Sequence, residues 1–189
     1  MLRGMERHNV LVVGAGKIGQ VVAELLAGSG DYAVTLADRD APAPPGAPGV
    51  DMQVLDISDE RSLRQALAGR WAVLSAAPFH LTARIAEAAR DAGVHYLDLT
   101  EDVASTRRIR ELADGARSAL IPQCGLAPGF ISIVAADLAA RFDRLDSVRM
   151  RVGALPAYPS NALNYNLTWS TEGVINEYIE PCEAIVDGR

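Results

Sequence analysis

Apolar positions along the chain fall into two periodicities that alternate with one another. Val10 to Val13 is an unbroken apolar run ending at Gly14, the pattern of a central parallel strand buried on both faces. Ile18, Val21, Val22, Leu25 and Leu26 then recur with a period near 3.6, which predicts a helix with one apolar stripe, stopped by Gly28-Ser29-Gly30. Tyr32 to Ala37 reads as a second strand ending at Asp38, completing a βαβ unit. Between Ala41 and Gly49 stand Pro42, Pro44, Pro45 and Pro48, so the next crossover is expected to be a loop, not a helix. Val50 to Leu55 predicts a third strand, Leu63, Ala66 and Leu67 a short helix, and Ala72 to Ala76 a fourth strand that Pro78 breaks. Leu81, Ile85, Ala88 and Ala92 mark one side of a helix stopped by Gly93. His95 to Leu99 reads as a strand, Ala104 to Ala116 as a helix, and Leu120-Ile121 as a sixth strand. Short strands and helices alternating at this pitch specify an α/β fold, a Rossmann-type doubly wound parallel sheet.

The pattern changes after residue 124. Cys124-Gly125-Leu126-Ala127-Pro128-Gly129-Phe130 is a turn-rich link into a helix carrying Ile131, Val134, Leu138 and Phe142. Ser147 to Val152 alternates like a half-exposed strand, and the remainder is rich in Tyr, Asn and Trp. The expected organisation is a dinucleotide-binding domain over residues 1–124 and the beginning of a second, α+β substrate domain over 125–189.

Composition narrows the function classes. With 49% apolar and 22% charged residues in 189, the chain suits a well-buried core. A net charge of −6 offers no basic face to nucleic acid or to an anionic membrane. The apolar runs are too short for a spanning helix, and the first seven residues hold no apolar stretch of signal-peptide type, so a cytoplasmic setting is expected. Cys124 and Cys182 are far apart and without Cys-x-x-Cys or His-rich company, so no metal site is expected, and both read as free thiols.

Gly14-Ala15-Gly16-Lys17-Ile18-Gly19 fits G-x-G-x-x-G between a predicted strand and a predicted helix. The first glycine permits a tight turn, the second lets backbone approach a pyrophosphate, and the third lets helix and strand pack closely. Free N–H groups at the helix start complete an anion site. Asp38 ends the second strand about twenty positions further on, where a carboxylate bonds a ribose 2′-hydroxyl. That acid favours NAD, while Arg39 keeps NADP in play, either serving a 2′-phosphate or standing as a solvated surface arginine. Asp56 is a candidate adenine-side contact or an ordinary turn residue.

Ligands of such sheets sit beyond the carboxyl ends of the strands. There Ala76-Ala77-Pro78 offers small residues for close approach of a nicotinamide ring. His80 follows as an acid or base, or as a ring packing at the start of the next helix. Dehydrogenation at an amine-bearing carbon needs a base, and Asp98, at the end of the fifth strand, is the carboxylate least explained by packing. Glu101 and Asp102 read more simply as first-turn acids complementing a helix dipole.

In Gly14–Gly19, Ala77-Pro78-Phe79-His80, Tyr96-Leu97-Asp98, the Cys124–Gly129 link and the stretch from Asn164 to Gly173, the chain resembles the saccharopine dehydrogenase-like oxidoreductases, including the lysine 6-dehydrogenase branch. The resemblance runs through nearly the whole chain. It implies NAD(P)-linked oxidation at an amino-acid C–N bond with imine hydrolysis, and it puts Asn164, Tyr165, Trp169 and Ser170 on the substrate side. From the residues alone, Trp169 reads equally as core filling. The helix after Gly129 would begin near the site and could hold a substrate carboxylate. Arg90 is the nearest basic residue before Asp98, which leans toward the lysine-dehydrogenase side. Family members are longer, so the chain reads as a fragment or a reduced copy. The alternative is a catalytically silent dinucleotide-binding or sensing module. Exposed apolar surface on the second domain would favour a homodimer.

Overall fold

The computed structural model describes residues 7–40, 48–153, 155–162, 164–165, 170–179, 181 and 185–187. Trp169, Cys182 and most of the proline-rich loop lie outside them. The elements run β1 (His8–Val13), α1 (Lys17–Ser29), β2 (Tyr32–Asp38), β3 (Val50–Val54), α2 (Glu60–Leu67), β4 (Ala72–Ser75), α3 (Phe79–Ala92), β5 (His95–Asp98), α4 (Val103–Ala113), β6 (Leu120–Ile121), α5 (Phe130–Ala139) and α6 (Thr171–Ile179). The six strands form one parallel sheet in the order β3-β2-β1-β4-β5-β6, so the strand order reverses between β1 and β4. This is the doubly wound sheet expected from the sequence.

The β1 run is apolar without interruption because both of its faces are covered. Leu11 and Val13 enter one core with Leu63, Leu67, Ile85, Tyr96 and Ile109. Val10 and Val12 enter the other, with Ala23, Val34 and Leu36 under α1. Successive side chains of a strand point to opposite faces, so a strand inside two layers has no polar positions to spare.

Two helix faces differ from the periodicity reading. In α1 the buried residues are Gly19 and Ala23, with Val22 and Leu26 partly covered, while Ile18, Val21 and Leu25 are exposed. Gly19 draws the helix so close to the β1 turn that small residues form the contact and the bulky stripe turns outward. In α3 the buried set is Thr82, Ile85, Ala86 and Ala89, and of the expected side only Ile85 is fully buried. Gly30 and Gly93 end these helices in the left-handed conformation, as their positions predict.

The strand expected at Ser147–Val152 does not form: these residues are exposed and carry no ladder. Alternation alone cannot hold a strand that no neighbour pairs with. Past residue 125 the described residues instead contain α5, none of whose residues is buried, and α6, which the sequence reading did not anticipate. Helix α6 packs back on the sheet domain, burying Gly173 and Asn176, and Asn176 Nδ2 donates to Asp102 Oδ1 at 3.4 Å.

Candidate functional site

The turn after β1 is built around three glycines with three different reasons. Gly14 has φ +104°, and a Cβ there would stand 2.6 Å from the Ala76 carbonyl oxygen. A Cβ on Gly19 would come within 1.8 Å of the Gly14 carbonyl oxygen, so the third glycine is required by helix-on-strand packing. Gly16 is different: it is the N-cap of α1 in extended backbone, and a Cβ there would meet nothing within 4 Å. No protein atom demands a glycine at that point, and the space its missing side chain leaves opens into a cleft.

The cleft measures about 880 Å³, within the usual ~300–1,000 Å³ of small-molecule sites. It runs along the carboxyl ends of the strands across the reversal point, the place where such sheets bind ligands. At one end are Asp38, Arg39 and Asp56, in the middle Gly14, Gly16, Lys17, Ile18 and Gly19, and beyond them Ala76, Ala77, Pro78 and His80. The far end is closed by Thr100, Glu101, Ser170 and Gly173. Each of the expected cofactor-side residues therefore lines one continuous surface.

Asp38 is half-buried, and its Oδ2 accepts the Ala15 N–H at 2.7 Å, so the carboxylate is tied to the glycine turn. Asp56 accepts the Ser58 N–H at 2.8 Å, and its pKa is lowered by the hydrogen bonds from Ser58 and, more weakly, by Arg39. It shapes the turn after β3 and also faces the cleft. Asp59, not Asp56, caps α2. His80, in the first turn of α3, is exposed on the cleft with its ring edge-on to Phe79 at 5.8 Å.

Asp98 stands elsewhere than its proposed role requires. It has no exposed surface and does not line the cleft. Its Oδ1 accepts the Thr100 and Gln123 N–H groups at 3.1 and 3.0 Å, and its Oδ2 accepts the Tyr96 hydroxyl at 2.9 Å. The backbone carbonyl of Asp98 also takes the Cys124 N–H at 2.7 Å. The residue thus pins the link between the two halves of the chain to the end of β5. Burial raises its pKa, and these hydrogen bonds pull the other way.

Glu101 is the acid that does reach the cleft. Its pKa is raised, first by burial and then by Glu177 of α6, Asp102 and Asp98. Its neighbour Asp102 is the N-cap of α4, accepting the Ser105 N–H at 2.7 Å, so neither acid lies in the first turn, and Glu101, one residue before the cap, lines the site. Sequence reasoning assigned both acids to the helix dipole, and only the cap geometry separates them. The same fold-back brings Ser170 to the cleft, where its Oγ accepts the Gly173 N–H at 3.2 Å. Asn164 and Tyr165 do not line the cleft; Asn161 and the Tyr165 backbone bond each other instead. Nor does the start of α5 line it, so the expected carboxylate site at that helix end is not assembled among the described residues.

Two family models match the chain: the saccharopine dehydrogenase NADP binding domain over residues 10–121 and the saccharopine dehydrogenase C-terminal domain over residues 125–189. The sequence is 27% identical to the saccharopine dehydrogenase [NADP(+), L-glutamate-forming] of Saccharomyces cerevisiae, over 88% of this chain and 40% of that protein. It is 23% identical to the mitochondrial alpha-aminoadipic semialdehyde synthase of Rattus norvegicus, over 97% of this chain and 21% of that protein. The solved apo structure of the yeast saccharopine dehydrogenase superposes with a TM-score of 0.70 at 24% identity, covering 89% of this chain and 40% of that one, and supports the fold. The chain spans less than half the length of these relatives.

Proposed function

The chain belongs to the saccharopine dehydrogenase family, and on that premise we propose that it forms the cofactor-binding part, with the first portion of the substrate-binding part, of an NAD(P)-dependent oxidoreductase. The reaction is oxidation of a carbon–nitrogen bond of an amino acid of the lysine or saccharopine type, followed by hydrolysis of the imine. Residues 1–124 serve the dinucleotide and 125–189 begin the substrate domain. The observation that carries this reading is the empty position beside Gly16, set between the α1 N-terminus and the tethered carboxylate of Asp38.

The residues present fit a dinucleotide. Backbone N–H groups at the start of α1 face the place a pyrophosphate would take, and Gly16 lets it approach. Asp38 suits a ribose 2′-hydroxyl and repels a 2′-phosphate, which supports NAD over NADP, and the Arg39 charge acts weakly on Asp56. Ala76, Ala77 and Pro78 leave room for a flat ring over the end of β4. Bound there, the nicotinamide supplies a hydride acceptor. The protein's part is to hold the amine-bearing carbon against it, exclude water and move protons.

His80 and Glu101 are the ionisable side chains at that end of the cleft. Glu101 takes a proton from the water that attacks the imine, a role its raised pKa suits. His80 handles protons at the mouth. Asp98, beneath the cleft, acts at one remove. Ser170, at the start of α6, contacts the substrate.

Free Cys124 fits a reducing, cytoplasmic compartment. Among the described residues no helix is long and apolar enough to cross a membrane. A homodimer using the uncovered face of α5 belongs to the same reading, and sedimentation velocity tests it. Calorimetric titration with NAD and NADP, then absorbance at the reduced-nicotinamide band with lysine and saccharopine, tests the function. Absence of affinity for either nucleotide overturns it.

A further inference from the structure

We propose that Ser75, Tyr96 and Asp98 form a proton path leading from the floor of the cleft to a buried carboxylate, with Ser75 at its mouth. Its use in turnover rests on the dehydrogenase reading above; its existence does not. Ser75 ends β4, is 1% exposed, lines the cleft, and its hydroxyl makes no hydrogen bond in the protein. A buried hydroxyl left unpaired is uncommon and calls for a partner, which here comes from the contents of the cleft. Ser75 is the register partner of Asp98 on the neighbouring strand, and Tyr96, two positions before Asp98, projects on the same face. The Ser75 hydroxyl thus stands beside Asp98 across the β4–β5 ladder, on the face that carries the Tyr96 phenol, without a hydrogen bond to either, so a rotation of Ser75 closes the chain.

Beyond Ser75 the path is already formed. Tyr96 Oη donates to Asp98 Oδ2 at 2.9 Å and has a second acceptor, the Thr82 carbonyl, at 3.2 Å. Two acceptors allow two states. With Asp98 ionised, Tyr96 donates to the carboxylate. With Asp98 protonated, Oδ2–H donates to Tyr96 and the phenolic proton turns to Thr82. Oδ1 is occupied by two backbone N–H groups, so the proton arrives on the Tyr96 side. The other ionisable groups near Asp98 are Glu101, in the loop after β5, and Cys124, in the link.

In amine oxidation the substrate ammonium releases a proton to Ser75 Oγ as Ser75 passes its own to Tyr96 and Tyr96 passes its own to Asp98. The nicotinamide that Ala76, Ala77 and Pro78 would hold could then accept the hydride of the amine carbon, which would leave an iminium. Asp98 and Tyr96 are positioning residues in this scheme, acting through Ser75.

The test reads the Tyr96 hydroxyl directly. With tyrosine labelled at Cζ with carbon-13, in equal parts of light and heavy water, the isotope shift at Cζ reports hydroxyl exchange. Ser75→Ala is expected to slow that exchange by on the order of tenfold, and Ser75→Thr to restore it. An unchanged rate in Ser75→Ala overturns the path. Once a substrate is found, Tyr96→Phe should lower kcat about tenfold or more, with nucleotide Kd nearly constant and the acid limb of the pH profile displaced. Full kcat with an unaltered pH profile in Tyr96→Phe also overturns it. Slowed exchange in Ser75→Ala in a parent protein that binds neither NAD nor NADP upholds the path and removes the dehydrogenase reading.

Discussion

Replacing Gly16 by alanine separates fold from function at a single position. The residue sits at the N-cap of α1 with φ −70° and ψ −177°, a conformation open to any amino acid, and an added Cβ meets nothing within 4 Å. Alanine loses a few tenths to about 1 kcal/mol as an N-cap. Against this, a less flexible unfolded chain returns about 0.4–1 kcal/mol. The net change in stability is therefore within about 1 kcal/mol, a Tm shift of no more than ~2–4 °C for a chain of this size. Binding responds differently, because the methyl group occupies the space through which a pyrophosphate meets the α1 N–H groups. Hydrogen bonds to a charged partner contribute ~1.5–3 kcal/mol, so NAD affinity should fall roughly 10- to 100-fold. Thermal unfolding and calorimetry on the same sample give both quantities. Gly19→Ala is the converse control, since its Cβ would lie 1.8 Å from the Gly14 carbonyl oxygen and should cost about 1–3 kcal/mol of stability or more. If Gly16→Ala binds NAD as the parent does, the pyrophosphate does not lie at this turn and the reasoning fails.

Asp38→Ser should raise NADP affinity relative to NAD by about tenfold or more, as a like-charge clash is removed, and titrating both nucleotides against the variant checks it. Asp98→Ala strands three donors, the Thr100 and Gln123 N–H groups and the Tyr96 hydroxyl, and should destabilise by about 3 kcal/mol or more in denaturant unfolding. Asp98→Asn should cost clearly less, because its amide oxygen can keep the two backbone donors. Glu101 has a folded-state pKa above its unfolded value, so its contribution to stability is fully present below about pH 4.5 and is lost as pH rises through the folded pKa. Glu101→Gln should therefore gain stability over the parent progressively above that pH, and superimposable Tm-against-pH curves would contradict this. Asn176→Ala should loosen α6 from the sheet domain, seen as faster amide exchange confined to residues 171–179 with β1 and β4 unchanged.

Much of the glycine-turn end of the cleft was legible because its determinants are local. The glycine turn, the run before it and Asp38 follow one another along a single βαβ unit, and each carries a backbone requirement that a residue type reveals. The open end of the site was less legible. Glu101 and Asp102 are adjacent acids of similar helix-start character, and only the identity of the cap separates them. Asp98 stands out as a carboxylate within a strand, yet alternation with Leu97 and Leu99 does not say whether it faces a cleft or hydrogen-bond donors beneath it.

By itself the sequence determined the parallel sheet, its strand sequence and the cradle at its first turn, since buried strands must be continuously apolar and a backbone approached by a ligand must lack Cβ. Tertiary structure alone decided which side of α1 and α3 is buried, that residues 147–152 pair with nothing, and that α6 returns to close the cleft with Ser170. It also placed Ser75 beside Asp98 across the β4–β5 ladder and the Tyr96 hydroxyl on the Asp98 carboxylate. Those outcomes depend on contacts between elements far apart in the chain, where helix rotation and partner choice are set by packing and hydrogen-bond satisfaction that no local pattern encodes.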